Sequence, residues 1–224
     1  MDAVIFDCDG VLIDSETIAH EVELEAMQRL GLLFDSDKDK ARFQGLAVRD
    51  WSAALEEIHH AQLGRPLLEG FIAALSAEIT RRVLGDIRPI AGAVEAARAF
   101  HGPKAIASSS PKHELHGKVR GLGLWEEFDG HVYSGDDVAH GKPAPDLFLL
   151  SAEKLKIDAA RCVVIEDSIN GVRAGLAAGM TVWGFFGGPH CLPDQRDRLA
   201  DAGATRLLGH MDEVGAALRR LRPI

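Results

Sequence analysis

The sequence opens with MDAVIFDCDGVLIDSE (residues 1–16), in which four apolar residues, Ala3 to Phe6, run directly into Asp7 and Asp9. A short apolar run with polar residues after it indicates a strand buried on both faces, as in a parallel sheet covered by helices. Side chains that follow such a strand lie at its carboxyl end, where ligands bind in open α/β sheets. The opening segment therefore predicts a parallel sheet with an acidic site at its edge.

The same kind of apolar run recurs later in the chain. Further runs rich in apolar residues lie at 104–107, 162–165, 181–185 and 205–208. Segments in which apolar residues recur at helical spacing, such as 171–178, lie between them. This alternation is typical of an α/β fold with a doubly wound, Rossmann-like parallel sheet.

Residues 15–84 break this alternation, because they show helical spacing without a convincing strand. The recurring apolar residues are Ala19, Val22, Ala26, Met27, Leu30, Trp51, Leu55, Ile58, Phe71, Leu75 and Ile79. Gly31 follows the first of these segments, where a glycine commonly ends a helix. We therefore predict a core domain of residues 1–14 and 85–224, with residues 15–84 inserted after the first strand as a small α-helical domain.

Composition and charge exclude several classes of protein. The chain has 224 residues and a formal net charge of -9, whereas binding to a nucleic-acid backbone requires clustered Lys and Arg. Its three cysteines are scattered, which favours reduced thiols over a disulfide framework. No apolar run approaches the roughly 20 residues that span a bilayer. We expect a cytoplasmic monomer or weak homodimer that binds neither nucleic acid nor membrane.

Polar side chains at the predicted strand ends, with one lysine from a loop, carry the candidate chemistry. The set consists of Asp7, Asp9, Ser108, Lys142, Glu166 and Asp167. Hard oxygen ligands close to a lysine suit Mg²⁺ together with a phosphoryl group. They suit zinc poorly, because neither His nor Cys is among them.

Each member of this set has a role in phosphate chemistry. Asp7 is the candidate nucleophile, which would form an aspartyl-phosphate. Asp9 would protonate the leaving oxygen and later deprotonate the attacking water. Lys142 and the Ser108 hydroxyl would bind the other phosphate oxygens, with Mg²⁺ offsetting their charge. Gly10 permits a tight turn directly after the acidic pair.

Four segments in this order resemble the haloacid dehalogenase superfamily. They are DCDGVLIDSE at residues 7–16, IASSSPK at 106–112, GKPAPD at 141–146 and IEDSINGVRAG at 165–175. The resemblance covers nearly the whole chain. It agrees with the roles of nucleophile and acid/base given above to the two aspartates of the first segment.

The resemblance also implies a metal site and a cap. Mg²⁺ would be bound by Asp7, the backbone carbonyl of Asp9 and Asp167, with Glu166 close by. Gly10 and Ser109 are further candidate contacts to phosphate. The inserted helices match the cap that such enzymes carry, which closes over the site, excludes water and recognises the substrate.

The resemblance also separates branches of the superfamily. Asp9 argues against dehalogenases, which generally lack a second aspartate. The β-phosphoglucomutases are more similar, but the histidine that they use after the first motif aligns with Ala19, and the cap lysine is missing from residues 67–77. Gly45 and Arg49 match the substrate-reading loop of that branch and are candidate substrate contacts.

We therefore expect a Mg²⁺-dependent phosphatase acting on a small phosphorylated metabolite, such as a sugar, sugar-acid or polyol phosphate. A phosphosugar mutase and a non-catalytic phosphometabolite-binding protein are the alternatives. A receiver domain, which also combines carboxylates, a hydroxyl and a lysine, would carry its phosphoacceptor on a later strand of a much shorter chain. The ten histidines are interpreted as surface or core residues, and the loop at residues 187–191 is assigned no role.

Overall fold

The computed structural model describes residues 1–33 and 48–221, except for the side chains of residues 48–50. The chain divides into two compact units. The core unit comprises Met1–Glu16 and Asp86–Ile224, and the helical unit comprises Thr17–Gly85. These bounds differ by one or two residues from those expected from the sequence.

Six parallel strands form one sheet in the core unit. They are β1 (Ala3–Phe6), β2 (Lys104–Ser108), β3 (Val132–Ser134), β4 (Cys162–Glu166), β5 (Thr181–Phe185) and β6 (Arg206–Leu208). The strand order is β3-β2-β1-β4-β5-β6, which is the order of a doubly wound sheet of the Rossmann type. The predicted fold class is confirmed.

Helices flank the sheet and make up the second unit. In the described residues they are α1 (Ser15–Leu30), α2 (Val48–Leu63), α3 (Phe71–Gly85), α4 (Ala93–Arg98), α5 (Lys112–Gly121), α6 (Asp146–Leu155), α7 (Ile169–Ala177), α8 (Gln195–Asp201) and α9 (Met211–Leu218). Short 3₁₀ helices occupy Glu126–Phe128, Gly135–Asp137 and Ala159–Arg161. Within the described chain, no helix is both long enough and apolar enough to span a membrane.

The central strands are buried along their whole length, as their continuous apolar runs predict. Every residue of β1, β2 and β4 is buried. On one face of the sheet, Ile5 and Val164 pack in the same cluster as Phe148 of α6 and Val172 of α7. Strand β1 pairs with β2 on one side and with β4 on the other, so that the residue after it lies near the middle of the sheet edge.

Strand β3 was not predicted from the sequence. Its three residues contain only two apolar side chains and follow His131, so neither length nor pattern separates them from a loop. The strand forms because Val132 lies in register with Ile106 on the free side of β2. Pairing with β2, and not the local sequence pattern, makes this segment a strand.

The helical unit has its own apolar cluster. Val22 and Met27 of α1 pack with Leu55 of α2 and Leu75 of α3 in this cluster, and all four are buried. Gly31 follows α1 with a φ of 77°, the left-handed conformation expected of a helix-ending glycine. The described residues of the unit contain no strand, as the sequence predicts.

Candidate active site

The chain turns sharply after β1 and brings two carboxylates to the carboxyl edge of the sheet. The Asp7 amide continues the sheet pattern by donating to the Ile165 carbonyl at 2.9 Å. Gly10 then adopts a φ of 80°. A Cβ at this position would collide with the side chains of Asp167 and His190. The glycine therefore meets two requirements, a left-handed turn and a close approach of neighbouring groups.

Lys142 binds the carboxylate of Asp7. Its ammonium group donates to Asp7 Oδ1 at 2.5 Å, to Glu166 Oε1 at 2.7 Å and to the Ala107 carbonyl at 3.0 Å. The second oxygen of Glu166 accepts from the amide and the hydroxyl of Ser168, at 2.8 and 2.9 Å. Glu166, held in this way, fixes the position of Lys142 beside Asp7.

Asp9 has a different set of partners. Its Oδ1 accepts from Ser15 Oγ at 2.5 Å and from Lys118 Nζ at 2.7 Å. Its Oδ2 accepts from Ser108 Oγ at 3.1 Å and from Ser110 Oγ at 2.7 Å. Burial raises the pKa of Asp9, but Lys118 and the hydroxyl groups of Ser15 and Ser110 outweigh it, so the pKa lies below its ordinary value.

Asp167 is paired with a histidine from the loop that follows β5. His190 Nε2 lies 2.7 Å from Asp167 Oδ2, and Gln195 Nε2 donates to the Asp167 backbone carbonyl at 2.5 Å. Burial lowers the pKa of His190, but the hydrogen bond with Asp167 has the larger opposite effect together with the other groups around the ring, so the pKa is raised to about 10. The raised pKa favours the protonated imidazole, whose Nε2 would donate to Asp167.

The electrostatics of the site indicate an excess of negative charge. Burial raises the pKa of Asp7 well above its usual range; Lys142 opposes the rise, and Glu166, Asp167 and Asp9 add to it. Burial likewise raises the pKa of Asp167. A divalent cation close to these groups would offset this repulsion.

The donor set fits Mg²⁺ by its chemistry, since it consists of hard carboxylate and carbonyl oxygens. Among the described residues, no three His, Cys, Asp or Glu side chains form a ready metal-binding group. The implied ligand set does not require one, because it uses the side chains of Asp7 and Asp167 and only the backbone carbonyl of Asp9.

The structure brings most of the predicted site residues together. Asp7, Asp9, Ser108, Lys142, Glu166 and Asp167 all lie at the same edge of the sheet. Ser109 is exposed, and within the described chain the neighbouring Ser110, not Ser109, donates to Asp9. Gly45 lies outside the described residues. The backbone of Arg49 is part of α2, but its side chain is outside the description.

The sequence interpretation missed Lys118 and His190. Lys118 had a detectable signal, because it occupies a helical position in line with Leu115 and Leu122, where an apolar residue is expected. His190 had a weaker signal, its position in a loop after a predicted strand. Its contact with Asp167 depends on the sheet order, which the sequence does not specify.

The fold and the position of the carboxylates define a doubly wound α/β enzyme with its site at the carboxyl edge of the central strand. Residues 1–179 match the family described as haloacid dehalogenase-like hydrolase. The chain belongs to this family, and the predicted resemblance is confirmed.

Similar proteins include named phosphatases. The chain is 34% identical over 212 residues to a phosphorylated carbohydrates phosphatase of Thermotoga maritima, covering 93% of this chain and 94% of that protein. It is 28% identical over 193 residues to the 6-phosphogluconate phosphatase of Escherichia coli, covering 86% of each.

A similar solved structure is that of a haloacid dehalogenase family hydrolase from Deinococcus radiodurans, with bound phosphate and sodium. Its TM-score is 0.83 and its sequence identity 38%, covering 97% of this chain and 95% of that one. Together, the family match and these likenesses identify the chain as an enzyme of this hydrolase family.

Proposed function

We propose that the protein is a Mg²⁺-dependent phosphomonoester hydrolase that acts through an aspartyl-phosphate on Asp7. The observation that carries this proposal is the separate environment of two carboxylates that follow one strand. Asp7 is bound by a lysine that Glu166 holds, whereas Asp9 is bound by Lys118 and three hydroxyl groups. Two carboxylates in different environments suit two different roles in one reaction.

In the first step, a carboxylate oxygen of Asp7 attacks phosphorus and the bond from phosphorus to the leaving oxygen breaks. A proton carried by Asp9 passes to that leaving oxygen. Lys142, which donates to Asp7, would neutralise charge on Asp7 and on the transferring group. When bound by Asp7, the Asp9 carbonyl and Asp167, Mg²⁺ would supply further positive charge against the repulsion between carboxylate and phosphate.

In the second step, water attacks phosphorus and gives a proton to the Asp9 carboxylate. The bond from Asp7 to phosphorus breaks, and the Asp7 carboxylate is restored. The sum of both steps is the conversion of a phosphate monoester and water into an alcohol and inorganic phosphate.

The substrate class in this proposal is a small phosphorylated metabolite, namely a sugar, sugar-acid or polyol phosphate. The names of the relatives support it, since one acts on phosphorylated carbohydrates and one on 6-phosphogluconate. We further propose that the helical unit, Thr17–Gly85, is the cap that recognises this substrate, with Gly45 and Arg49 among its contacts.

Phosphate release from a panel of sugar, sugar-acid, polyol and nucleotide phosphates tests the proposal. We expect release with Mg²⁺, loss with EDTA and recovery when Mg²⁺ is added back. Asp7→Asn, which removes the nucleophile while preserving side-chain size, should abolish release. Isomerisation of β-glucose 1-phosphate without phosphate release would instead favour the mutase. Binding without turnover would favour the non-catalytic alternative.

A further inference from the structure

Lys118 is a buried lysine that is given no step of its own in the reaction described above. It lies on α5, and only 2% of its surface is exposed. Its helical neighbours on the same face, Leu115, Val119 and Leu122, are buried apolar residues. A lysine is rarely buried to this extent unless it is paired, because removing its charge from water is unfavourable.

The partners of Lys118 are directed at Asp9. Its ammonium group donates to Asp9 Oδ1 at 2.7 Å and to Ser110 Oγ at 3.0 Å, and it forms an ion pair with Glu114 on its own helix. Ser110 in turn donates to Asp9 Oδ2 at 2.7 Å. Lysine and serine thus bind opposite oxygens of one carboxylate and bind each other, so the Asp9 carboxyl group has little freedom to rotate.

We propose that Lys118 is a positioning residue for the hydrolysis, which acts by fixing the orientation of the Asp9 carboxyl group. This inference rests on the proposed function, in which Asp9 exchanges a proton with the leaving oxygen and with water. A proton-transferring group must lie within hydrogen-bond reach of the atom that it serves. Lys118 would set that distance from a buried position, through its hydrogen bond to Asp9.

Lys104 provides a matched comparison. It is also a buried lysine of the core unit, 7% exposed, and it pairs with Glu127 and donates to the carbonyls of Ala97 and Phe100. It begins β2, at the opposite end of the strand from Ser108. A lysine that serves only stability would behave like Lys104 when it is replaced.

The leaving group separates a positioning role from a structural one. The p-nitrophenolate ion is a stable leaving group that needs little protonation, whereas a sugar alkoxide needs a proton from Asp9. The ratio kcat/KM reports the steps up to formation of the aspartyl-phosphate, so it isolates the step in which Asp9 acts as an acid. Loss of Asp9 positioning should therefore affect a sugar phosphate more than p-nitrophenyl phosphate.

The experiment measures kcat/KM on p-nitrophenyl phosphate and on the best sugar phosphate for wild type, Lys118→Met and Lys104→Met. General acid catalysis contributes about 10²- to 10⁴-fold. For Lys118→Met we expect roughly a tenfold or greater extra loss on the sugar phosphate, a part of that contribution. Lys104→Met should lower thermal stability and leave the ratio between the two substrates unchanged.

A double variant tests the coupling directly. If Lys118 acts through Asp9, Lys118→Met should change the substrate ratio no further in an Asp9→Asn background, because coupled residues are not additive. Folding of each variant is checked by circular dichroism and thermal melting. Should Lys118→Met not fold, Lys118→Gln takes its place, with a smaller loss in the same direction.

The outcomes are distinct. The assignment is overturned if Lys118→Met lowers kcat/KM equally on both substrates. It is also overturned if Lys118→Met changes the substrate ratio in the Asp9→Asn background as much as it does in wild type. In either case, Asp7-dependent phosphate release by wild type leaves the proposed function standing. No Asp7-dependent phosphate release by wild type overturns the proposed function and the assignment with it.

Discussion

The two units handle charge in opposite ways. In the core unit, the side chains of Lys118 and Lys142 are 2% and 4% exposed and pair with carboxylates at the sheet edge. In the helical unit, the side chains of the ion pair between Arg82 and Glu25 are 35% and 41% exposed. Exposed pairs contribute little to stability, whereas removing one partner of a buried pair leaves an uncompensated charge. The buried charges at the sheet edge are therefore best explained by chemistry, whereas the charges of the Arg82–Glu25 pair stay in contact with solvent.

The largest expected effect follows from removing the cation beside the nucleophile. Lys142→Met leaves Asp7 and Glu166 buried without their shared partner. We expect phosphate release to fall by at least about 100-fold, and the free energy of unfolding to fall by about 3–5 kcal/mol. Steady-state kinetics and urea unfolding measure the two. If Lys142→Met had the activity and the free energy of unfolding of wild type, the buried ion pairs of the core unit would matter no more than the exposed pairs of the helical unit.

A smaller effect is expected from a glycine that makes room for a charged side chain. A Cβ on Gly171 of α7 would collide with the Glu166 carboxylate, whereas a Cβ on Gly85, at the end of α3, would meet nothing within 4 Å. Gly171→Ala should therefore displace Glu166 and cost about 1–3 kcal/mol of stability, with roughly tenfold lower activity. Gly85→Ala is the matched control and should leave stability unchanged or raised by up to about 1 kcal/mol.

These two variants differ only in where the added methyl group lies. Thermal melting and phosphate release are measured for both. Equal behaviour of the two would mean that the position of Glu166 does not depend on Gly171.

The smallest effect concerns a partly exposed carboxylate of the helical unit. Hydrogen bonds from Arg81 lower the pKa of Glu78 from its ordinary 4.5 to about 2. Because the pKa of Glu78 is lower in the folded state, its ionisation stabilises the fold at pH values above the ordinary pKa of 4.5. This contribution is lost as the pH falls from about 4.5 towards 2. The melting temperatures of wild type and Glu78→Gln should differ slightly at pH 7, and the difference should shrink below pH 4.5. A difference that grows at lower pH would contradict this sign.

Much of the site was predictable because its residues directly follow strands with unambiguous patterns. Asp7, Asp9 and Asp167 are examples, since a buried apolar run precedes each of them closely along the chain. Once the sheet is parallel, residues after its strands must meet at one edge. This geometry explains why the core positions could be assigned without any distance information.

The rest depended on which elements become neighbours. Strand β3 forms only by pairing with β2, and Lys118 reaches Asp9 only because α5 packs beside that edge. His190 reaches Asp167 through the loop after β5. Contacts of this kind come from tertiary packing, which helical or strand periodicity does not encode. The substrate contacts Gly45 and Arg49 stay predictions, as do the roles of the core residues.

The central claim, a phosphorylated Asp7, can be tested by trapping the intermediate. In Asp9→Asn, p-nitrophenyl phosphate can still phosphorylate the enzyme, because its leaving group needs little protonation, but the base for the second step is missing. The protein is quenched in acid after reaction with Mg²⁺ and p-nitrophenyl phosphate, and its peptides are fragmented by mass spectrometry. We predict a phosphoryl group on Asp7 that is absent from Asp7→Asn. Phosphate release by wild type that persists in Asp7→Asn, with no phosphorylated Asp7 in any variant, would contradict the account.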